Sequence, residues 1–172
     1  MTTKFAVAAV ALLALSGCAN NPFNRAAEDA SVAGVGAGGI DGASLGAISE
    51  TSIEFFQTQV GDTVLFPVDQ SSLTPEAIAI LDAQVAWLAA NPDKTAVIEG
   101  HADEQGTREY NLALGARRAA AVFNYISSKG IADGRLETVT FGKERPLAIC
   151  SDETCWSKNR RAQTTVRGGL GS

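Results

Sequence analysis

Within residues 107–129, Asn111, Leu114, Arg118, Val122 and Ile126 recur at intervals of three or four. Side chains so spaced share one face of an α-helix. Leu114, Val122 and Ile126 direct that face inward, so Arg118 carries its guanidinium into the same interface. An unpaired buried charge is very costly, and the fold must supply a partner. The nearest candidate is Asp103, in the loop Gly100-His101-Ala102-Asp103-Glu104-Gln105-Gly106 that leads into this helix. The expectation is that this loop lies against the long helix near Arg118.

The surrounding pattern fixes the class of fold. Thr63 to Phe66 reads as a strand. Thr74-Pro75-Glu76 is a helix start, with Thr74 as cap and Pro75 at the first helical position. Ile78, Leu81, Val85 and Leu88 form its apolar stripe, and Asn91-Pro92 stops it. Thr95 to Glu99 is a second strand. The long helix ends at Gly130, a suitable residue just past a helix C-terminus. Leu136 to Phe141 and Gln163 to Arg167 complete the strands. The expected class is α/β: a two-layer sandwich in β-α-β-α-β-β order, with helices packed on one face of a single sheet.

The start of the chain is of another kind. Residues 5–15 (FAVAAVALLAL) follow Lys4 as an uninterrupted apolar run. A membrane-spanning helix needs roughly 20 such residues, so the run has the length of a secretory signal. It ends in Leu15-Ser16-Gly17-Cys18, which resembles the lipobox of bacterial lipoproteins. That resemblance implies cleavage before Cys18, a diacylglycerol on its sulfur and an acylated new N-terminus. Each buried methylene contributes ~0.8 kcal/mol, so several acyl chains anchor firmly where one does not. Ala19 follows the cysteine, where an Asp would signal retention in the inner membrane, and this points to the outer membrane. Residues 20–49 include GVGAGGIDGASLGA and have no helical or strand period and almost no large apolar side chains. Such a stretch cannot offset its ordering entropy and reads as a tether of about 30 Å r.m.s. span. The expected organisation is 1–17 signal, 18–50 lipidated N-terminus and tether, and 51–169 folded domain.

Asp103 and Arg118 admit two readings. They are a buried ion pair and nothing more, or they line a pocket at a strand end and a helix N-terminus. There, backbone N–H groups and the helix dipole favour an anionic group. In the second case Arg118 grips a carboxylate through a bidentate fork and Asp103 holds an ammonium. A ligand bearing both groups on one carbon satisfies both.

Residues 97–107 and 111–122, together with Phe141-Gly142-Lys143-Glu144-Arg145-Pro146 and Ser157-Lys158-Asn159-Arg160-Arg161-Ala162, resemble the OmpA-like peptidoglycan-binding domain family. The likeness covers about residues 62–167. It implies an OmpA-like sandwich on a mixed sheet that binds peptidoglycan non-covalently, without a cofactor. The implied ligand is the diaminopimelate of the stem peptide, with Asp103 and Arg118 as its contacts. Phe66 and Asp69 match the family's strand-end block, which often reads Phe-Asp-x-Asp. Here Pro67 replaces one acidic residue and removes a backbone donor. Asn111, Leu114 and Arg161 are candidate pocket-wall residues. For lipid-anchored members the resemblance also implies the propeller protein TolB and the Tol envelope complex as partners.

Cys150 and Cys155 flank four residues before the last strand. In an exported chain they are expected to form a disulfide. One histidine and two such cysteines are too few ligands for a metal centre. His101 is expected to make a loop hydrogen bond. A zinc amidase needs several His and Asp ligands, which this sequence cannot assemble. A glycosidase needs paired carboxylates, and Glu99 and Glu104 carry no supporting motif. The formal net charge of −5 is a poor match for nucleic acid.

Overall fold

The computed structural model describes residues 48–168. The signal segment, Cys18 and most of the tether lie outside the described residues. The chain enters through a one-turn helix α1 (Ile53–Phe55), capped by Ser52, which runs into a π-helical turn Phe56–Gly61. The main elements follow: β1 (Thr63–Leu65), α2 (Pro75–Ala90), β2 (Thr95–His101), α3 (Arg108–Ser128), β3 (Leu136–Gly142), α4 (Glu153–Asn159) and β4 (Arg161–Arg167). The four strands form one mixed sheet in the order β1-β4-β2-β3. β4 runs antiparallel to both β1 and β2, while β2 and β3 pair in parallel across the α3 crossover.

Thr74 caps α2 through the Ala77 N–H, and Thr107 caps α3 through the Tyr110 N–H. The buried face of α3 is the stripe read from sequence, widened by Gly115 and Ala119. On α2 the buried face is rotated from the expected one: Ile78 and Val85 are only half-buried, while Ala77, Gln84 and Trp87 join Leu81 and Leu88 inside. Gln84 is tolerated there because its amide donates to Gly61 O and accepts from Thr164 Oγ1. The core gathers Phe56, Val64, Leu81, Leu88, Ile98, Val122 and Ile126 between helices and sheet.

Two elements go beyond the expected β-α-β-α-β-β order. Helix α4 stands between the last two strands, capped by Asp152. It has seven residues, too few to show a periodic apolar stripe. The segment ahead of β1 is also built in: Phe56 is fully buried against the Trp87 ring at 4.9 Å, and Trp87 Nε1 donates to Glu50 O.

Gly100 and Gly115 set the depth of the site. A Cβ on Gly100 would lie 1.9 Å from Gly115 O. Only two glycines let α3 approach the end of β2 this closely, which brings Asn111, Leu114 and Arg118 under the loop that follows β2.

Candidate functional site

The loop after β2 is held from several sides. Ala102 N–H donates to Gly142 O, which extends the pairing with β3. Asp103 Oδ1 accepts from the Gln105 N–H at 3.1 Å, a short aspartate turn. Its Oδ2 accepts from Arg160 Nη1 at 3.2 Å. Gly106, at φ 89°, turns the chain into the Thr107 cap. Lys143 donates to the carbonyls of Glu104 and Gly106, and Asn111 Nδ2 donates to Gln105 O at 2.8 Å.

These contacts frame a cavity of about 340 Å³. Val68 and Asp69 line it from the β1–α2 segment, Asp103, Gln105 and Gly106 from the β2–α3 loop, and Tyr110, Asn111 and Leu114 from α3. Four of the sequence-derived candidates, Asp69, Asp103, Asn111 and Leu114, thus share one cavity wall. Two carboxylates look into it. Asp69 is the one described non-glycine residue with positive φ, at 59°, a conformation that Asp tolerates better than most residues. Tyr110 Oη donates to Asp69 Oδ1, and this bond pushes the phenol pKa up. Asp69, Asp103, Asn111 and Leu114 thus sit together, whereas Phe66, Arg118 and Arg161 do not line this cavity.

Arg118 departs from expectation. It is 0 % exposed and forms no ion pair with Asp103. Its guanidinium donates instead to three backbone carbonyls: Nε to Gln70 at 2.9 Å, Nη1 to His101 at 2.8 Å and Nη2 to Pro67 at 3.2 Å. The Phe66 ring lies 5.2 Å from the guanidinium carbon, so Phe66 packs on Arg118 rather than lining the cavity. Burial lowers the Arg118 pKa to about 10, with Asp103 opposing the shift from a distance. The group remains a cation at neutral pH, solvated by peptide dipoles rather than by a carboxylate.

Arg161 is likewise elsewhere. Arg161 opens β4, whereas Arg160 is the residue that ends α4, and the two adjacent arginines part. Arg160 reaches Asp103, whereas Arg161 Nη2 donates to Arg145 O at 3.3 Å. Its Nε and Nη1 have no partner among the described residues. The neighbouring His101 makes no ring hydrogen bond, contrary to expectation, and stacks on Phe141 at 5.4 Å. Burial, followed by the charges of Arg161 and Arg145, lowers its pKa to about 4. Cys150 and Cys155 form the expected disulfide, with Cα atoms 5.6 Å apart. Asp152 lies beside it, but bonded sulfurs offer no thiolate to a metal.

Sequence reasoning missed Tyr110, Lys143 and Arg160. Lys143 and Arg160 stand inside the motif blocks named above, but no local pattern marks which arginine of the pair reaches Asp103, because Arg160 closes α4 and Arg161 opens β4.

A model described as the OmpA family matches residues 65–160. The peptidoglycan-associated lipoprotein of Rhizobium meliloti is 48% identical over 96% of this chain and 88% of its own length. That of Brucella melitensis is 42% identical over 96% and 93%. The crystal structure of the peptidoglycan-associated lipoprotein from Burkholderia pseudomallei superimposes with a TM-score of 0.64 at 36% identity, covering 67% of this chain and 100% of that one. The C-terminal domain of Helicobacter pylori MotB, 15% identical with a TM-score of 0.59 over 63% and 86%, shares the fold alone. The chain belongs to the OmpA family and, within it, to the peptidoglycan-associated lipoproteins. Among the described residues no helix is long and apolar enough to cross a membrane.

Proposed function

We propose that this chain is an outer-membrane lipoprotein, anchored through Cys18, whose folded part holds peptidoglycan non-covalently by the diaminopimelate of its stem peptides. It tethers membrane to wall and performs no chemistry on it. The observation that carries the reading is the cavity wall at Asp103: a carboxylate oriented through both oxygens, beside Asp69 and Asn111, in a chain 48% identical to a peptidoglycan-associated lipoprotein. An ammonium entering there meets two carboxylates. The reading extends to membership of the Tol-Pal system, with TolB as protein partner.

The carboxylate half of the ligand is assigned to Arg118, and this assignment requires movement. The carbonyls of Pro67 and Gln70 now cover the guanidinium. A ligand carboxylate that displaces them replaces neutral acceptors by a charged one, and such hydrogen bonds are roughly twice as strong. The Tyr110–Asp69 bond is the latch that must yield. A second reading also has an observation behind it. The three carbonyl contacts of Arg118 are those of a structural cation tying the β1–α2 segment to the end of β2.

Co-sedimentation with purified wall sacculi tests the proposal. The protein is expected to pellet with intact sacculi, and Asp103→Asn to pellet only at far higher sacculus concentration while keeping a cooperative melting transition. Release of soluble muropeptides, or undiminished pelleting of the variant, contradicts it. Arg118→Ala is expected to lower stability as well as binding, because it strands buried carbonyls, so Asp103 is the cleaner probe.

A further inference from the structure

Arg160 was not among the residues expected at the site, yet it lies where three segments meet. It is 4 % exposed. Its backbone carbonyl accepts from the Phe66 N–H at 2.9 Å, and its Nε donates to Phe66 O at 3.3 Å. Its Nη1 donates both to Asp103 Oδ2 and to Glu153 Oε2, each at 3.2 Å, and its Nη2 donates to Glu153 Oε1. One guanidinium therefore ties the end of β1, the Asp103 turn and the first turn of α4. Glu153 is largely exposed, whereas Asp103 is 8 % exposed. Arg160 lines no part of the cavity itself.

We propose that Arg160 is the positioning residue of the Asp103 carboxylate, and that Glu153 in turn orients Arg160. This rests on the reading of the cavity as the wall-peptide site. A planar guanidinium presents donors in a fixed fork. Here one branch fixes Asp103 Oδ2 while the Gln105 N–H fixes Oδ1, so the carboxylate cannot rotate away from the cavity. Helix α4 and the disulfide ahead of it thereby become part of the binding apparatus without touching ligand. A lysine at position 160 keeps the charge and loses the fork. It cannot hold Asp103, Glu153 and Phe66 O together.

The test measures sacculus binding by the full chain, with sacculi in excess and each melting transition recorded. Arg160→Lys is expected to weaken binding about tenfold, and Glu153→Gln, a change at an exposed side chain, about two- to fivefold, in keeping with the energies of charge-assisted hydrogen bonds. In an Asp103→Asn background, both substitutions are expected to cost less than about twofold, because residues acting through one group are not additive. If Arg160→Lys does not fold at the assay temperature, Glu153→Gln and its Asp103→Asn double variant decide alone. Wild-type binding by Glu153→Gln or by folded Arg160→Lys, or equal losses in both backgrounds, overturns the role of Arg160 while leaving the cavity reading intact. Undiminished binding by Asp103→Asn alone overturns both.

Discussion

Arg118 illustrates how a buried charge can be carried without a counter-ion. Three carbonyls from two segments far apart in sequence converge on one side chain, and the guanidinium geometry suits them because its donors diverge in a plane. His101 solves the opposite problem. Its ring is buried without a hydrogen bond, near Glu99 and close to the cations Arg145 and Arg161, and its pKa falls to about 4. The unfolded chain binds a proton near pH 6.5 that the folded chain refuses until about pH 4. Stability from this residue is therefore complete above pH 6.5 and is lost as pH falls through that window, by roughly 3 kcal/mol. The chain has a single histidine, so its ring resonances are unambiguous in an NMR titration. A midpoint below pH 5 is expected, and one near 6.5 would show that the ring is not desolvated as described.

At the scale of elements, the β1–α2 segment and α4 carry what is particular to this site. The segment is fastened over Arg118 by the Tyr110–Asp69 bond, with Asp69 in a left-handed conformation. Tyr110→Phe removes the latch and leaves the ring. Faster amide exchange in residues 68–70 and about two- to fivefold tighter wall binding are expected, since an easier opening removes a cost of selecting the competent state. Unchanged exchange would mean that the latch holds nothing. Helix α4 is joined through Cys155 to Cys150 in the preceding loop. Replacing Cys150 and Cys155 by serine is expected to lower stability by about 2 kcal/mol on the loop-entropy model, read by urea denaturation, and to loosen α4 first. A variant as stable as the wild type would remove the disulfide from the account. What the sequence disclosed follows the same division. The stripe of α3, the cap Thr74 and the glycine after α3 are local signals and are legible in the sequence. The Asp103 loop was legible through its motif. Helix α4 is too short for periodicity. The partner of Arg118 was misassigned because a sequence pattern can demand a partner but cannot reveal that backbone carbonyls will supply it. Arg160 rather than Arg161 reaches Asp103 because it closes α4 one residue before β4 begins, a boundary that the sequence pattern does not mark.

At the scale of the molecule, the sheet and α3 form a rigid frame whose glycine contact sets one side of the cavity, while the β1–α2 segment and the α4 region supply the parts that orient or cover it. The proposed membrane anchor and tether need only deliver this cavity to the wall, because the contacts that would grip a stem peptide lie within residues 66–160. The most direct measurement is an NMR titration of the protein with a soluble stem peptide ending in diaminopimelate, against one ending in lysine. The account predicts saturable shifts centred on Asp103, Gln105, Tyr110 and Asn111 for the diaminopimelate peptide, changes spreading to Pro67-flanking amides as the segment opens, and little response to the lysine peptide, which lacks the second carboxylate. Equal responses to both peptides, or shifts that map to another face of the domain, would contradict it.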